Sequence, residues 1–282
     1  MGPREKVTLA TLRAKKRAGQ KIVVLTAYDY PTAVAEQEAG VDAILVGDSV
    51  AQVLLGHDST LPATMDLMVA LAAAVRRGAP HVYLIGDMPF LSYQVTPAEA
   101  VRNAGRFMTH AGCDAVKVEC DARLVDTVAA MARASIPVMV HMGLRPQSIH
   151  QLGGYRSQGR NADDAQRLLQ DARQMEQAGA VALLLEAMPP EPARMITEST
   201  ELPVIGCGAG PYCDGHVVVL HDMVGLSLGP VPRFVPRYAE LLSELKSAVE
   251  RYAADIRSGA YPAAEHCYQM AAGQAERLES GK

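Results

Sequence analysis

Short apolar runs alternate along the chain with longer stretches whose apolar residues recur every three or four positions. The runs are Ile22-Val23-Val24-Leu25-Thr26, Ala43-Ile44-Leu45-Val46, Val82 to Gly86, Ala115 to Glu119, Ile136 to Gly143, Val181 to Glu186 and Leu202 to Ile205. Runs of this length, rich in branched side chains and bounded by turn residues, predict strands buried in a parallel sheet. The stretches between them predict helices over 6–18, 31–39, 65–77, 97–111, 123–135, 162–179 and 190–199. Gly19, Gly40 and Gly112 stop three of these helices, and Thr64 is a plausible N-cap for another. Met223 to Leu228 is the candidate eighth strand. Helical patterns cover 238–258 and resume from Pro262, and a polar tail starts at Gly273.

Strands alternating with helices, with no linker or break in composition, predict an α/β fold. The expectation is a single (β/α)8 TIM barrel domain over residues 1–282, with an N-terminal helix before it and C-terminal helices after it. A doubly wound open sheet is the rival, and it would gather its site at one switch point. Here polar residues close one strand after another: Asp48, Asp87, Lys117 with Glu119, His141 and Glu186. That distribution suits a closed ring, whose strand carboxyl ends share one mouth. Long polar loops at 54–62 and 152–161 also follow strand ends, where loops tend to carry function.

Asp48, Asp87 and Glu119 are hard oxygen donors on three successive strands, and without thiolates beside them they favour Mg²⁺ or a similar divalent ion. Open positions on such an ion suit a bidentate ligand such as a 2-oxo acid. The plainer reading is three solvated strand-end acids. Lys117 and Glu119 are two residues apart and share a strand face. Lys117 then offers a cation to a substrate; a Schiff-base lysine is the competing role, against which the neighbouring acid speaks. Glu186 ends an apolar strand, where partial desolvation would raise its proton affinity and suit it to act as general base. His141 fits either a substrate pocket or a satisfied barrel histidine. The glycines of 206–210 suit either a phosphate cradle or a tight strand–helix turn.

Composition narrows this picture. Apolar residues make up 49% of the chain and charged ones 21%, as in a soluble globular protein. Trp is absent and Phe occurs 3 times, so the core must be aliphatic. A net charge of -4 with a pI near 6.1 argues against nucleic acid as a partner. Arg13, Lys15, Lys16, Arg17 and Lys21 form the densest basic cluster, which reads as a solvated helix face or a subunit contact. The 5 cysteines have neither metal-finger nor redox spacing. The first residues lack an apolar segment, so reduced thiols and a cytoplasmic location are expected. No apolar run approaches the roughly 20 residues that cross a membrane.

Several stretches carry a resemblance: Thr26-Ala27-Tyr28-Asp29, Val46-Gly47-Asp48-Ser49, Gly56-His57-Asp58-Ser59-Thr60-Leu61-Pro62, Asp87-Met88-Pro89-Phe90, Val116-Lys117-Val118-Glu119, His141-Met142-Gly143-Leu144, Gly153-Gly154-Tyr155 and Gly208-Ala209-Gly210. In these the chain resembles the 3-methyl-2-oxobutanoate hydroxymethyltransferase (ketopantoate hydroxymethyltransferase) family. The resemblance implies transfer of a hydroxymethyl group from 5,10-methylenetetrahydrofolate to 3-methyl-2-oxobutanoate, giving 2-dehydropantoate in pantothenate biosynthesis, by Mg²⁺-stabilised enolate chemistry. It implies Asp48 and Asp87 as metal ligands that also meet the substrate, and Glu119 as the third metal-site acid. Ser49, Lys117 and His141 become substrate contacts, and Glu186 the proton acceptor. Cys207 stands where the family usually has isoleucine. Family members are usually large homo-oligomers, often decamers. Two other readings stay open: a Mg²⁺-dependent 2-oxo acid carbon–carbon lyase of the phosphoenolpyruvate/pyruvate barrel superfamily, and a non-catalytic barrel that binds a 2-oxo acid.

Overall fold

In the computed structural model, which describes residues 5–281, the apolar runs form β1 (Ile22–Thr26), β2 (Ala43–Val46), β3 (Tyr83–Asp87), β4 (Ala115–Glu119), β5 (Val138–Gly143), β6 (Ala182–Glu186), β7 (Val204–Cys207) and β8 (Gly215–Val218). Each strand pairs in parallel with the next, and β8 pairs with β1 to close the barrel. Helix α1 (Leu9–Arg17) precedes it. The connections hold α2 (Tyr30–Glu38), the single turn α3 (Val50–Val53), α4 (Met65–Gly78), α5 (Pro97–His110), α6 (Val125–Arg133), the single turn α7 (Ile149–Leu152), α8 (Ala162–Gln177) and α9 (Pro190–Glu198). After β8 come α10 (Leu220–Met223), α11 (Leu241–Ser258) and α12 (Gln274–Glu279). Thr64 does cap α4, its hydroxyl accepting the Leu67 N–H.

Side chains of period two divide the strands between two cores. Ile44, Val46, Leu84, Val116, Val118, Val140 and Leu183 point outward and are sealed by helices. Ile22, Val24, Leu45, Ile85, Ala115, Met139, Leu184 and Val217 point inward and fill the lower barrel, where Leu12 of α1 closes the floor. The inward positions above them are polar, and these make the site.

The basic cluster of α1 is neither a solvated face nor a free surface at its two central lysines. Lys15 pairs with Asp42 and Lys16 with Asp214, so the cations tie the helix to the floor. Asp42 and Asp214, with Asp114, precede strands and follow one rule. The carboxylate Oδ2 of each accepts a backbone N–H on the strand before: Asp42 from Val23, Asp114 from Leu84 and Asp214 from Val204.

The eighth strand differs from the expectation. It is Gly215–Val218, while Met223 to Leu228 form the end of α10 and a loop. A Cβ at Gly215 would meet the Ile22 carbonyl at 2.2 Å, so the tight β8–β1 approach requires glycine. His216 interrupts the apolar run because it faces an outer wall that no helix covers. Val23, its partner across the ladder, is 48% exposed. Downstream, α11 has no buried residue, and its Leu242, Leu245, Val249, Tyr252 and Ile256 form an exposed stripe. The helix expected from Pro262 is reduced to a short 3-10 turn at Ala264–His266, and the tail from Gly273 is helical over α12. Among the described residues no helix is long and apolar enough to cross a membrane.

Glu36 on α2 is 4% exposed, and neither of its carboxylate oxygens has a hydrogen-bond partner among the described residues. Burial, helped by the nearby Asp29 charge, pushes its pKa from 4.5 to about 8. The folded chain therefore keeps a proton that the unfolded chain releases, and the stability of the fold falls as pH rises through that window. Glu36→Gln removes this dependence. It should stabilise the fold by about 1–3 kcal/mol at pH 8 and by little at pH 4, read from urea unfolding at both.

Candidate active site

Register brings the polar upper layer together. Asp87 is the Cα partner of Lys117, and Glu119 is the partner of His141. Inward residues at equal height on neighbouring strands must touch, so the order of strands alone assembles this layer. Lys117 Nζ lies 2.9 Å from Asp87 Oδ1 and 3.2 Å from His141 Nδ1. Asp48, just past β2, donates its N–H to Asp87 Oδ2 at 2.9 Å. His141 Nε2 stands 3.1 Å from Glu186 Oε2, off the line of a hydrogen bond. Asp48, Asp87, Lys117, Glu119 and His141 are all buried, while Glu186 keeps some exposure.

The charges explain the protonation states. Burial works against the Lys117 ammonium, but Asp87, Asp48 and Glu119 outweigh it and raise its pKa. A lysine held so firmly charged is a cation for a ligand and a poor Schiff-base nucleophile. Burial pushes Asp87 and Glu119 upward, with Asp48 adding to the shift while Lys117 pulls the other way. Burial, with the Lys117 charge, lowers His141, so the imidazole is neutral. An ammonium can only donate. Nδ1 therefore accepts from Lys117 and the ring proton sits on Nε2, facing Glu186.

Six of the seven predicted site residues converge here. The seventh, Ser49, is adjacent to Asp48 and is held toward β1 by Tyr28, whose hydroxyl is 2.8 Å from Ser49 Oγ. Gln52 of α3 links the two long loops, its Nε2 lying 3.2 Å from the Asp58 carbonyl and 3.4 Å from Tyr155 Oη. The glycines after β7 do not form an open cradle. Cβ atoms at Gly208 and Gly210 would strike Phe234 and Pro190, so close packing uses both. Sequence reasoning missed Gln147 and Tyr93. Gln147 Nε2 donates to Asp48 Oδ2 and its backbone N–H to Glu119 Oε2, both at 2.9 Å. The signal for it was slight: a glutamine after Pro146, just beyond β5.

The free atoms test whether a divalent ion suits this set. Glu119 Oε1 is buried and accepts no hydrogen bond among the described residues, and Asp87 Oδ1 is met only by the Lys117 ammonium. Three acids face one ammonium, so carboxyl groups outnumber cations in the layer. Every available donor is oxygen. Among the described residues no three His, Cys, Asp or Glu side chains form a ready-made metal site. Mg²⁺ does not need one, because it is commonly held by one or two carboxylates together with substrate and water oxygens. The residues fit such an ion.

The sequence model of ketopantoate hydroxymethyltransferase matches residues 6–264. The chain belongs to the ketopantoate hydroxymethyltransferase family. Among its curated relatives, the 3-methyl-2-oxobutanoate hydroxymethyltransferase of Syntrophomonas wolfei is 48% identical over 273 residues, covering 97% of this chain and 99% of that protein. The enzyme of the same name from Carboxydothermus hydrogenoformans is 45% identical over 274 residues, with 97% and 99% covered. Solved structures share the fold at lower identity. Phosphoenolpyruvate phosphomutase from Streptomyces platensis subsp. rosaceus superposes with a TM-score of 0.62 at 15% identity, covering 97% of this chain and 95% of that one. A phosphonopyruvate hydrolase solved with oxalate and Mg²⁺ gives 0.60 at 14%, with 97% of each covered.

In this member of the family, the mouth of the barrel depends on Lys117 for charge balance. Lys117→Met leaves Asp87 buried without a cation and should cost about 3 kcal/mol. Loss of the cation raises the Asp87 and Glu119 pKa values further. The penalty should therefore grow from pH 7 to pH 9, across the value of about 8 to which Asp87 is raised in the wild type, because there the folded variant must still hold a proton that the wild type releases. Urea unfolding in a chelating buffer at the two pH values checks both points.

Proposed function

We propose that this chain transfers a hydroxymethyl group to 3-methyl-2-oxobutanoate, as the names of its relatives say of them, and that 5,10-methylenetetrahydrofolate is the donor. The observation that carries the reading is the gathering of Asp48, Asp87, Lys117, Glu119, His141 and Glu186 in one barrel mouth of a member of this family. Asp48 and Asp87, with Glu119 directly or through water, would hold Mg²⁺. When bound, the ion supplies electrophilic polarisation of the 2-oxo acid, which makes its C3 proton acidic enough to remove.

This chain's own residues do the rest. Lys117 and Ser49 bind the substrate and orient it with C3 toward Glu186. His141 holds its Nε2–H beside the Glu186 carboxylate, 3.1 Å away, where its partial positive charge steadies that base. Glu186 takes the proton from C3. The C3 carbon then forms its new bond to the methylene carbon of the folate as one carbon–nitrogen bond breaks. Water supplies the hydroxyl as the second carbon–nitrogen bond breaks, and the two folate nitrogens take up the proton removed from C3 and one proton of the water as tetrahydrofolate leaves. The charged Lys117 balances the substrate carboxylate throughout.

An assay with both substrates tests the reading. Formation of 2-dehydropantoate and tetrahydrofolate is expected; cleavage of a 2-oxo dicarboxylate without that product would favour the lyase reading instead. Glu186→Gln should keep 2-oxo acid binding but lose exchange of the C3 proton with solvent deuterium by about 100-fold or more, followed by NMR. Exchange at the wild-type rate would assign the proton to another base.

The proposal extends to setting and assembly: one domain, in a reducing cytoplasm, as a homo-oligomer. The free cysteines support the setting. The uncovered β8–β1 wall and the apolar stripe of α11 support assembly, since each leaves apolar surface in water. Light scattering should give a mass several times the 30.1 kDa of one chain. The double variant Leu245→Asp, Tyr252→Asp should lower it, and a wild-type monomer would contradict the assembly.

A further inference from the structure

Gln147 lies in the turn Pro146–Ser148 that follows β5, and it is 4% exposed. Its side chain and its own peptide group reach two different acids. Nε2 donates to Asp48 Oδ2 at 2.9 Å, and the backbone N–H donates to Glu119 Oε2 at 2.9 Å. We propose that Gln147 is a positioning residue that selects which oxygen of Asp48 and which oxygen of Glu119 is left to face a divalent ion. The proposal rests on the reading above that these acids take such an ion.

The orientation of the amide is settled by its partners. On one side Nε2 also meets the Met88 carbonyl at 3.0 Å, so both neighbours there are acceptors. On the other side Oε1 takes the Tyr93 O–H at 2.7 Å and the Gln94 side-chain N–H at 3.0 Å, so both neighbours there are donors. A flipped amide would set oxygen against a carboxylate and a carbonyl, and N–H against N–H. Tyr93 is held in turn, because its hydroxyl oxygen accepts the Glu119 N–H at 3.0 Å. The result is a closed frame that joins the ends of β2 and β4 through one side chain. With Oε2 of Glu119 occupied, Oε1 is the buried oxygen without a hydrogen bond. With Oδ2 of Asp48 occupied, Oδ1 is the oxygen free to turn to a cation. Partners that orient metal ligands in this way commonly set affinity by 10–100-fold, which is about the size expected here.

Mn²⁺ binding to the full-length, metal-free protein, followed by electron paramagnetic resonance, tests the proposal. Gln147→Met keeps the length and bulk of the side chain but removes its donors. It should weaken Mn²⁺ binding by about 10–100-fold, and saturating Mn²⁺ should restore most of kcat. Tyr93→Phe should give a smaller loss that vanishes in the Gln147→Met background, because Tyr93 acts through the amide. Asp48→Asn serves as the reference. If Asp48→Asn loses Mn²⁺ while Gln147→Met binds it as the wild type does, Gln147 is scaffold and the proposal falls alone. If Asp48→Asn also binds normally, the ion site itself is wrong and the proposal falls with it. Should Gln147→Met fail to fold, unchanged Mn²⁺ affinity in Tyr93→Phe overturns the positioning role.

Discussion

The Lys117–Asp87 ion pair is the interaction on which the upper barrel depends, because it lets three acids be buried beside one another. An isolated buried carboxylate is expensive, and a buried pair recovers the cost only when its geometry is close and its other atoms are hydrogen-bonded. The β3–β4 register supplies the closeness by setting Asp87 opposite Lys117. The Asp48 N–H on Asp87 and the His141 Nδ1 that accepts from Lys117 supply the hydrogen bonds. What remains is a surplus of carboxyl oxygens over cations, which the proposed divalent ion and substrate would complete.

That pair also orders the chemistry around it. By donating to His141 Nδ1, Lys117 puts the imidazole proton on Nε2, where Glu186 stands. One lysine thus links the acid cluster on β2 to β4 with Glu186 on β6. The same side chain cannot serve as a neutral nucleophile while the acids hold it charged. The enolate mechanism proposed for this chain would use this arrangement, with charge balanced on one side of the mouth and the proton taken on the other.

Stability is built at the opposite end. The floor carries the apolar layers, the α1 cap and the aspartates that collect strand N–H groups, none of which faces the mouth. This separation frees the upper layer to hold charge that a core would otherwise exclude. It also explains why the loops over the mouth are long and polar while the turns at the floor are short. The one lapse in the wall, between β8 and β1, is matched by an amphipathic α11 that does not pack on its own barrel.

Seven strands and the long helices between them were legible because buried parallel strands are continuous apolar runs and amphipathic helices repeat near 3.6 residues, whereas the single turns α3 and α7 are too short to show a period. Asp48, Asp87, Lys117, Glu119, His141 and Glu186 were legible because a polar residue at the end of such a run has few structural excuses. β8 was not legible: its outer face lacks a helix, so His216 there breaks the apolar pattern that marks the other strands. Lys15 and Lys16 looked like surface because their partners, Asp42 and Asp214, are distant in sequence. The sequence by itself determined the strand–helix alternation, the period-two placement of polar groups and the family. Tertiary structure decided which atoms meet: the charge state of Lys117, the tautomer of His141, and the frame that Gln147 and Tyr93 build. Those depend on register between strands and on a turn folding back over the mouth, and neither is written in any local run of residues.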